Sequence, residues 1–278
     1  MKRISISILA IFLFLTGITY AASPQFEPDM TLFEFFKSEL LREHQVSDVQ
    51  NWRGVLVFRC WGKFREGLFA KQREFNNRIK VTIEEATYQE TDVYLLKFFV
   101  IDTNKVTETA ISKKNLNFVY RKTTDILQGK RFEQMITVIG KKIKCVTSAE
   151  GEIVEQKEVK MGKEIKDIYE SEALPLVLVT FPFAPNASYE TNVHFNFAYT
   201  IFPIRIDYQG RETISVPYGT FNSHKIRINP TGVLAPFSRN YVWYRETSPH
   251  YLLKAHRHIW IFLDETWELL SIGKEKKN

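Results

Sequence analysis

Glu212-Thr-Ile-Ser-Val-Pro-Tyr-Gly-Thr-Phe221 opens the stretch that decides the fold. Lys225-Ile-Arg-Ile228, Tyr241-Val-Trp-Tyr244, Ser248-Pro-His-Tyr-Leu-Leu253 and Thr266-Trp-Glu-Leu-Leu270 follow it. Each piece is short, rich in β-branched and aromatic residues, and set off by turn residues. No helical period intervenes. The same texture runs upstream. Ile79, Val81 and Ile83 alternate with Lys80, Thr82 and Glu84, as in a strand with one wet face. Val93–Ile101 is apolar on both faces, which predicts a covered central strand. Gly140-Lys141 and Glu150-Gly151 read as tight hairpin turns between the segments that flank them. Strands at this spacing, joined by such turns, predict a mainly β antiparallel meander and not a parallel α/β sheet.

Two segments break the pattern. Met30 to Val46 predicts a helix: Thr31-Leu-Phe-Glu34 reads as a capping box, and Leu32, Phe36 and Leu40 recur on one face. Between Ile165 and Phe183 the alternation lapses. Asp167–Ala173 reads as a short helix, Pro175 forces a new start, and Leu176–Phe181 is apolar apart from Thr180 before Pro182. A run this apolar is buried, or covered by a ligand. Leu176, Val177, Leu178, Val179, Phe181 and Phe183 are therefore the candidate residues for lining or plugging a cavity.

The N-terminal residues predict export. Lys2 and Arg3 precede the apolar run Ile4–Ile18, and Thr19-Tyr-Ala21 places small residues where a signal peptidase reads them. The alternative is an uncleaved inner-membrane anchor, for which the run is short. Domain organisation follows as a leader (1–21), an N-terminal helical segment (22–50), one β domain (51–272) and a basic tail (273–278). Loss of Lys2 and Arg3 lowers the formal charge from +6 to +4, and the remaining charges are interspersed, as on a solvated surface. We expect no nucleic-acid partner, a monomer, and at most peripheral contact with the envelope.

Candidate chemistry is sparse. The exported context permits a disulfide between Cys60 and Cys145, although buried free Cys is an equally ordinary reading. His256 and His258 point to one side of a strand, and His194, His224, His250 or Asp264 would have to supply a third metal ligand. The opposite face, with Leu253, Ala255, Ile259 and Ile261, reads as the core-facing one, which leaves the pair on the wetter side. No Gly-x-Ser-x-Gly elbow and no glycine-rich phosphate loop is present. A non-enzymatic protein without cofactor or metal is expected.

Several motifs together resemble a family of uncharacterised exported bacterial proteins of the periplasmic lipoprotein-carrier (LolA/LolB-like) fold. They are Ile126-Leu-Gln-Gly-Lys-Arg-Phe132, Asp167-Ile-Tyr-Glu-Ser171 leading into Leu174–Phe183, Val216-Pro-Tyr-Gly-Thr-Phe221, Trp243-Tyr244, Ser248-Pro249-His250-Tyr-Leu-Leu253 and Glu268-Leu-Leu. The resemblance implies a strongly curved antiparallel sheet, a half-barrel, with a short helical element on its concave face. It also implies an apolar interior able to take a lipid-like ligand. The length, the N-terminal helix and the basic tail depart from the lipoprotein carriers. Mass spectrometry of the envelope-fractionated protein should find a mature chain beginning at Ala22 or Ser23; an intact Met1 would instead establish the anchored form.

Overall fold

The computed structural model describes residues 55–65, 71–103, 105–162, 165, 167–195, 200–259 and 262–273. The leader, the helix predicted at Met30–Val46 and the basic tail lie outside these residues.

Fifteen strands form one sheet. They are β1 (Val55–Phe64), β2 (Arg73–Tyr88), β3 (Thr91–Val100), β4 (Lys105–Ser112), β5 (Phe118–Leu127), β6 (Lys130–Ile139), β7 (Lys142–Ala149) and β8 (Glu152–Lys160) in a first meander. A second holds β9 (Tyr169–Glu170), β10 (Ser188–Phe195), β11 (Thr200–Val216), β12 (Gly219–Pro230), β13 (Ser238–Arg245), β14 (Leu252–Ile259) and β15 (Leu263–Gly273). The spatial order runs β8 back to β1, then β15 back to β9. Every pairing is antiparallel except the short contact of β9 with β10. The two meanders join where β1 pairs with β15, from Val55↔Gly273 to Phe64↔Leu263.

Local sequence explains the hairpins. Tyr88 faces Thr91 across Gln89 and Glu90, Leu127 faces Lys130 across Gln128 and Gly129, and Ala149 faces Glu152 across Glu150 and Gly151. All six connecting residues have positive φ, between 45° and 87°. That is the turn whose twist matches the strands, and Gly129 and Gly151 adopt it without steric penalty. The Gly140-Lys141 turn predicted between β6 and β7 is also present.

Alternation dictates which face is inside. Leu56, Phe58 and Cys60 on β1, Ile79, Val81 and Ile83 on β2, and Leu96 and Phe98 on β3 are all buried. They share one core with Ile204 and Ile206 of β11, Ile226 of β12, Val242 of β13 and Leu269 of β15. The sheet therefore wraps its inner face around a common interior, and Phe118 of β5 stacks on His194 of β10 at 6.0 Å. The strand order still has two free ends, so the sheet is not a closed barrel. Val93–Val100 is central, with Val93 and Tyr94 of opposite faces both buried, as its apolar sequence predicts.

The interruption after β8 differs in detail from its sequence reading. Asp167–Ala173 is not a helix: Tyr169 and Glu170 pair with β10, and a turn follows. The helix is α1 (Leu174–Val177), continued by a 3₁₀ turn at Leu178–Thr180. Proline explains the shift, since its fixed φ and missing N–H suit a first helical turn and Pro175 occupies it. Val177, Leu178, Val179 and Phe181 are fully buried in the main core. Each contributes roughly 1.5–3 kcal/mol by burial.

The disulfide between Cys60 and Cys145 is not formed; both are buried as thiols. Strands β2 to β6 stand between β1 and β7, a separation of roughly 29 Å along the sheet at ~4.8 Å per strand. A bridge requires Cα atoms within about 7 Å. Cys60 belongs to the main core, whereas Cys145 packs with Phe118, Ile136, Ile143 and Ile168 in a second cluster. Iodoacetamide should therefore leave the native protein unlabelled and add two adducts after unfolding without reductant.

Candidate functional site

A partly open cavity of about 90 Å³ lies between the meanders on the inner face. Phe58, Val81 and Phe98 wall it from the first meander, and Ile204, Ile228 and Val242 from the second. Trp267 of β15 spans the joint, 6.0 Å from the ring of Phe58 and 6.5 Å from that of Phe98. Leu174 and Pro175 of α1 border the space. Tyr244 donates its hydroxyl hydrogen to the Pro175 carbonyl and so holds α1 against β13.

Of the residues expected to line or plug this space, Val177, Leu178, Val179 and Phe181 lie in the solid core around α1. The side chain of Leu176 lies outside the described residues. Phe183 does not line the cavity but packs against the edge of the core, stacked on His224 at 4.3 Å and edge-on to His250 at 5.1 Å. Burial, and then His250, push the His224 imidazole down to about 4, so it is neutral at physiological pH.

One end of the cavity is polar. Ser171, Glu172, Asn240, Arg257 and Glu265 meet there. Arg257 donates from Nε to Glu265 Oε2 at 2.9 Å and from Nη2 to the same oxygen. The Cys60 thiol lies 3.2 Å from Glu265 Oε1, and burial, reinforced by that carboxylate, pushes its pKa up and keeps it a thiol. Arg121, which is 4% exposed, reaches from β5 to both oxygens of Glu172 at 2.9 Å. Burial would raise the Glu172 carboxyl, but the Arg121 guanidinium overrides it and holds the pKa below the usual range. Glu170 has no exposed surface and accepts the backbone N–H groups of Glu172 at 2.8 Å and Ala173 at 3.0 Å, fixing the turn before α1. Burial, and then Glu172, push its pKa up to about 7.

Strand parity offered a signal for part of this cluster. Arg257 alternates with Ala255 and Ile259, and Glu265 with Trp267 and Leu269, so each is a charged residue on a core-facing row. The partnership of Arg121 with Glu172 had no local signature, because the two come from elements distant in sequence.

His256 and His258 face Asp264, with Nδ1 to carboxylate oxygen distances of 3.9 and 3.7 Å. His256 also meets Thr266 Oγ1 at 3.1 Å. Among the described residues no three His, Cys, Asp or Glu side chains are grouped as a metal would require.

No protein-family model and no curated protein matches the sequence. Among solved structures, the chain is similar to a β-barrel-like protein of a domain of unknown function, DUF1849, from Brucella abortus. The TM-score is 0.49 at 10% identity, over 81% of this chain and 99% of that one. It is also similar to a Bacteroides fragilis protein of YmcC-like fold described as exported, with TM-score 0.27 and 12% identity over 80% and 96% of the two chains. A Parabacteroides distasonis protein described as a lipoprotein gives 0.29 and 10% over 79% and 95%. At TM-scores this low none of the three fixes what this protein does.

Glu170 carries a testable pH dependence. Its folded pKa lies above the unfolded carboxyl value, so its contribution to stability is fully present below the unfolded pKa and is lost as pH rises through about 7. Glu170→Gln keeps an acceptor for both N–H groups and removes the titration. Thermal unfolding should show the variant gaining on the parent between about pH 5 and about pH 8, whereas a constant difference would place the carboxyl in an ordinary environment.

Proposed function

We propose that this protein is an exported, non-enzymatic binding protein that takes an apolar, lipid-like ligand against the inner face of its sheet. The cavity carries this reading: side chains of both meanders converge on it and are apolar everywhere but at one end. Export rests on Lys2-Arg3 and the apolar run that follows. The lipoprotein-carrier resemblance fits both features. At about 90 Å³ the cavity is smaller than the roughly 300–1,000 Å³ of drug-sized ligand sites. The ligand therefore inserts the end of a chain and leaves its remainder outside. Arginine-bound buried carboxylates and a buried un-ionised thiol support a non-catalytic interior. The protein acts as a monomer, without nucleic acid or cofactor, and touches the envelope only peripherally.

A second reading has an observation of its own. Val177, Leu178, Val179 and Phe181 fill the interior around α1, as they would in an envelope structural or interaction protein with a self-filled core.

Native mass spectrometry of protein purified from its own host separates the two. A co-purifying lipid-like molecule is expected, together with displacement of a fluorescent fatty-acid or phospholipid probe. Ala255 borders the cavity and is only half-buried. Ala255→Leu should fill the space, retain the fold and weaken probe binding about tenfold or more. A bare protein that binds no probe favours the self-filled core.

A further inference from the structure

We infer that the cavity prefers an amphiphile whose head is uncharged and hydrogen-bonding, an amide, alcohol or ester, seated at Arg257 with its chain against Phe58, Phe98 and Trp267. This rests on the binding reading above and adds the chemical class of the ligand. Both of the guanidinium's bonds, from Nε and Nη2, run to Glu265. Among the described residues Nη1 makes no hydrogen bond, and the side chain keeps 31% of its surface open. That donor is left to water, and a ligand acceptor can take its place.

The charges at this end exclude an ionic partner. Arg257 is matched by Glu265 and Arg121 by Glu172, with Glu172 close enough to Arg257 to act on it electrostatically. A carboxylate head would find no unpaired cation and two neighbouring carboxylates. An ammonium head would arrive against Arg257. A neutral acceptor takes the free N–H with neither penalty.

Asn240 adds a polar group to this end, but a closed one. It stands opposite Arg257 in the β13–β14 register. Its Nδ2 donates to the Ile228 carbonyl at 2.9 Å and to Ser238 Oγ at 2.7 Å, which orients the amide. Its Oδ1 is shut from water and accepts nothing. With no accessible surface it offers a ligand head no acceptor, so the guanidinium is the group that selects the head.

Calorimetry with octanamide, octanol, methyl octanoate, octanoate and octylamine at about pH 8, where the last two are ionised, tests the inference. The neutral compounds should bind about tenfold or more tightly than either ion. Equal or tighter binding of octanoate or octylamine overturns the head-group inference and leaves the binding reading standing. Absence of binding by all five overturns both. A double variant, Arg257→Leu with Glu265→Leu, removes the pair without stranding a charge. It should weaken octanamide about tenfold while unfolding as cooperatively as the parent; unchanged octanamide affinity in the folded variant overturns the role of Arg257.

Discussion

The ladder between β1 and β15 is the constraint on which the rest of the molecule hangs. Among the described residues it is the one strand pairing that joins the two meanders. Its closeness is visible at Gly62, where an added Cβ would stand 2.0 Å from the Asp264 carbonyl oxygen. Only a residue without a side chain lets the strands meet there. Phe58 and Leu269, opposite each other in the ladder, have no exposed surface. Phe58, Glu265 and Trp267, which line the cavity, are also residues of this joint. A shift of one position would turn all of them outward, because side chains alternate along a strand.

Across the interior the second tie is ionic. Arg121 on β5 and Glu172 beside α1 connect one meander to the segment that fills the space between the two. Buried ion pairs add little net stability over well-packed apolar residues, yet losing one partner alone is strongly destabilising. The pair therefore acts mainly to hold the turn before α1 in one place. Glu170 does the same from within that turn, its carboxylate accepting the backbone N–H groups of Glu172 and Ala173. The position of Leu174 and Pro175 at the cavity follows from this anchoring and from the Tyr244 hydroxyl.

Much of the fold was legible because its signals are local. Alternation at Ile79, Val81 and Ile83, and turns at Gly140 and Gly151, depend on neighbours in sequence, and each appears where it was predicted. Tyr208 and Gly210 show the limit: a bulge there joins the Glu212–Val216 piece to residues upstream in the single β11. The helix was placed before Pro175, at Asp167–Ala173, although proline suits the first turn of a helix and the helix lies at Leu174–Val177. The cavity was not legible, and its charged end only through the parity of Arg257 and Glu265. They arise from the pairing of Cys60 with Glu265, residues 205 positions apart, and from the approach of Arg121 to Glu172.

The tight hairpins have a kinetic consequence. Each joins strands through two residues, and such units form in about 1–10 μs once their residues are available. Contact between β1 and β15 must instead await the far end of the chain. The entropy of closing so long a loop rises only as its logarithm, but none of it is offset until the ladder begins to form. Each meander can thus gain internal order early, while the interior between them takes shape only at the last step of folding. Until then β1 and β15 remain open edges, and the polar groups destined for the cavity stay in water.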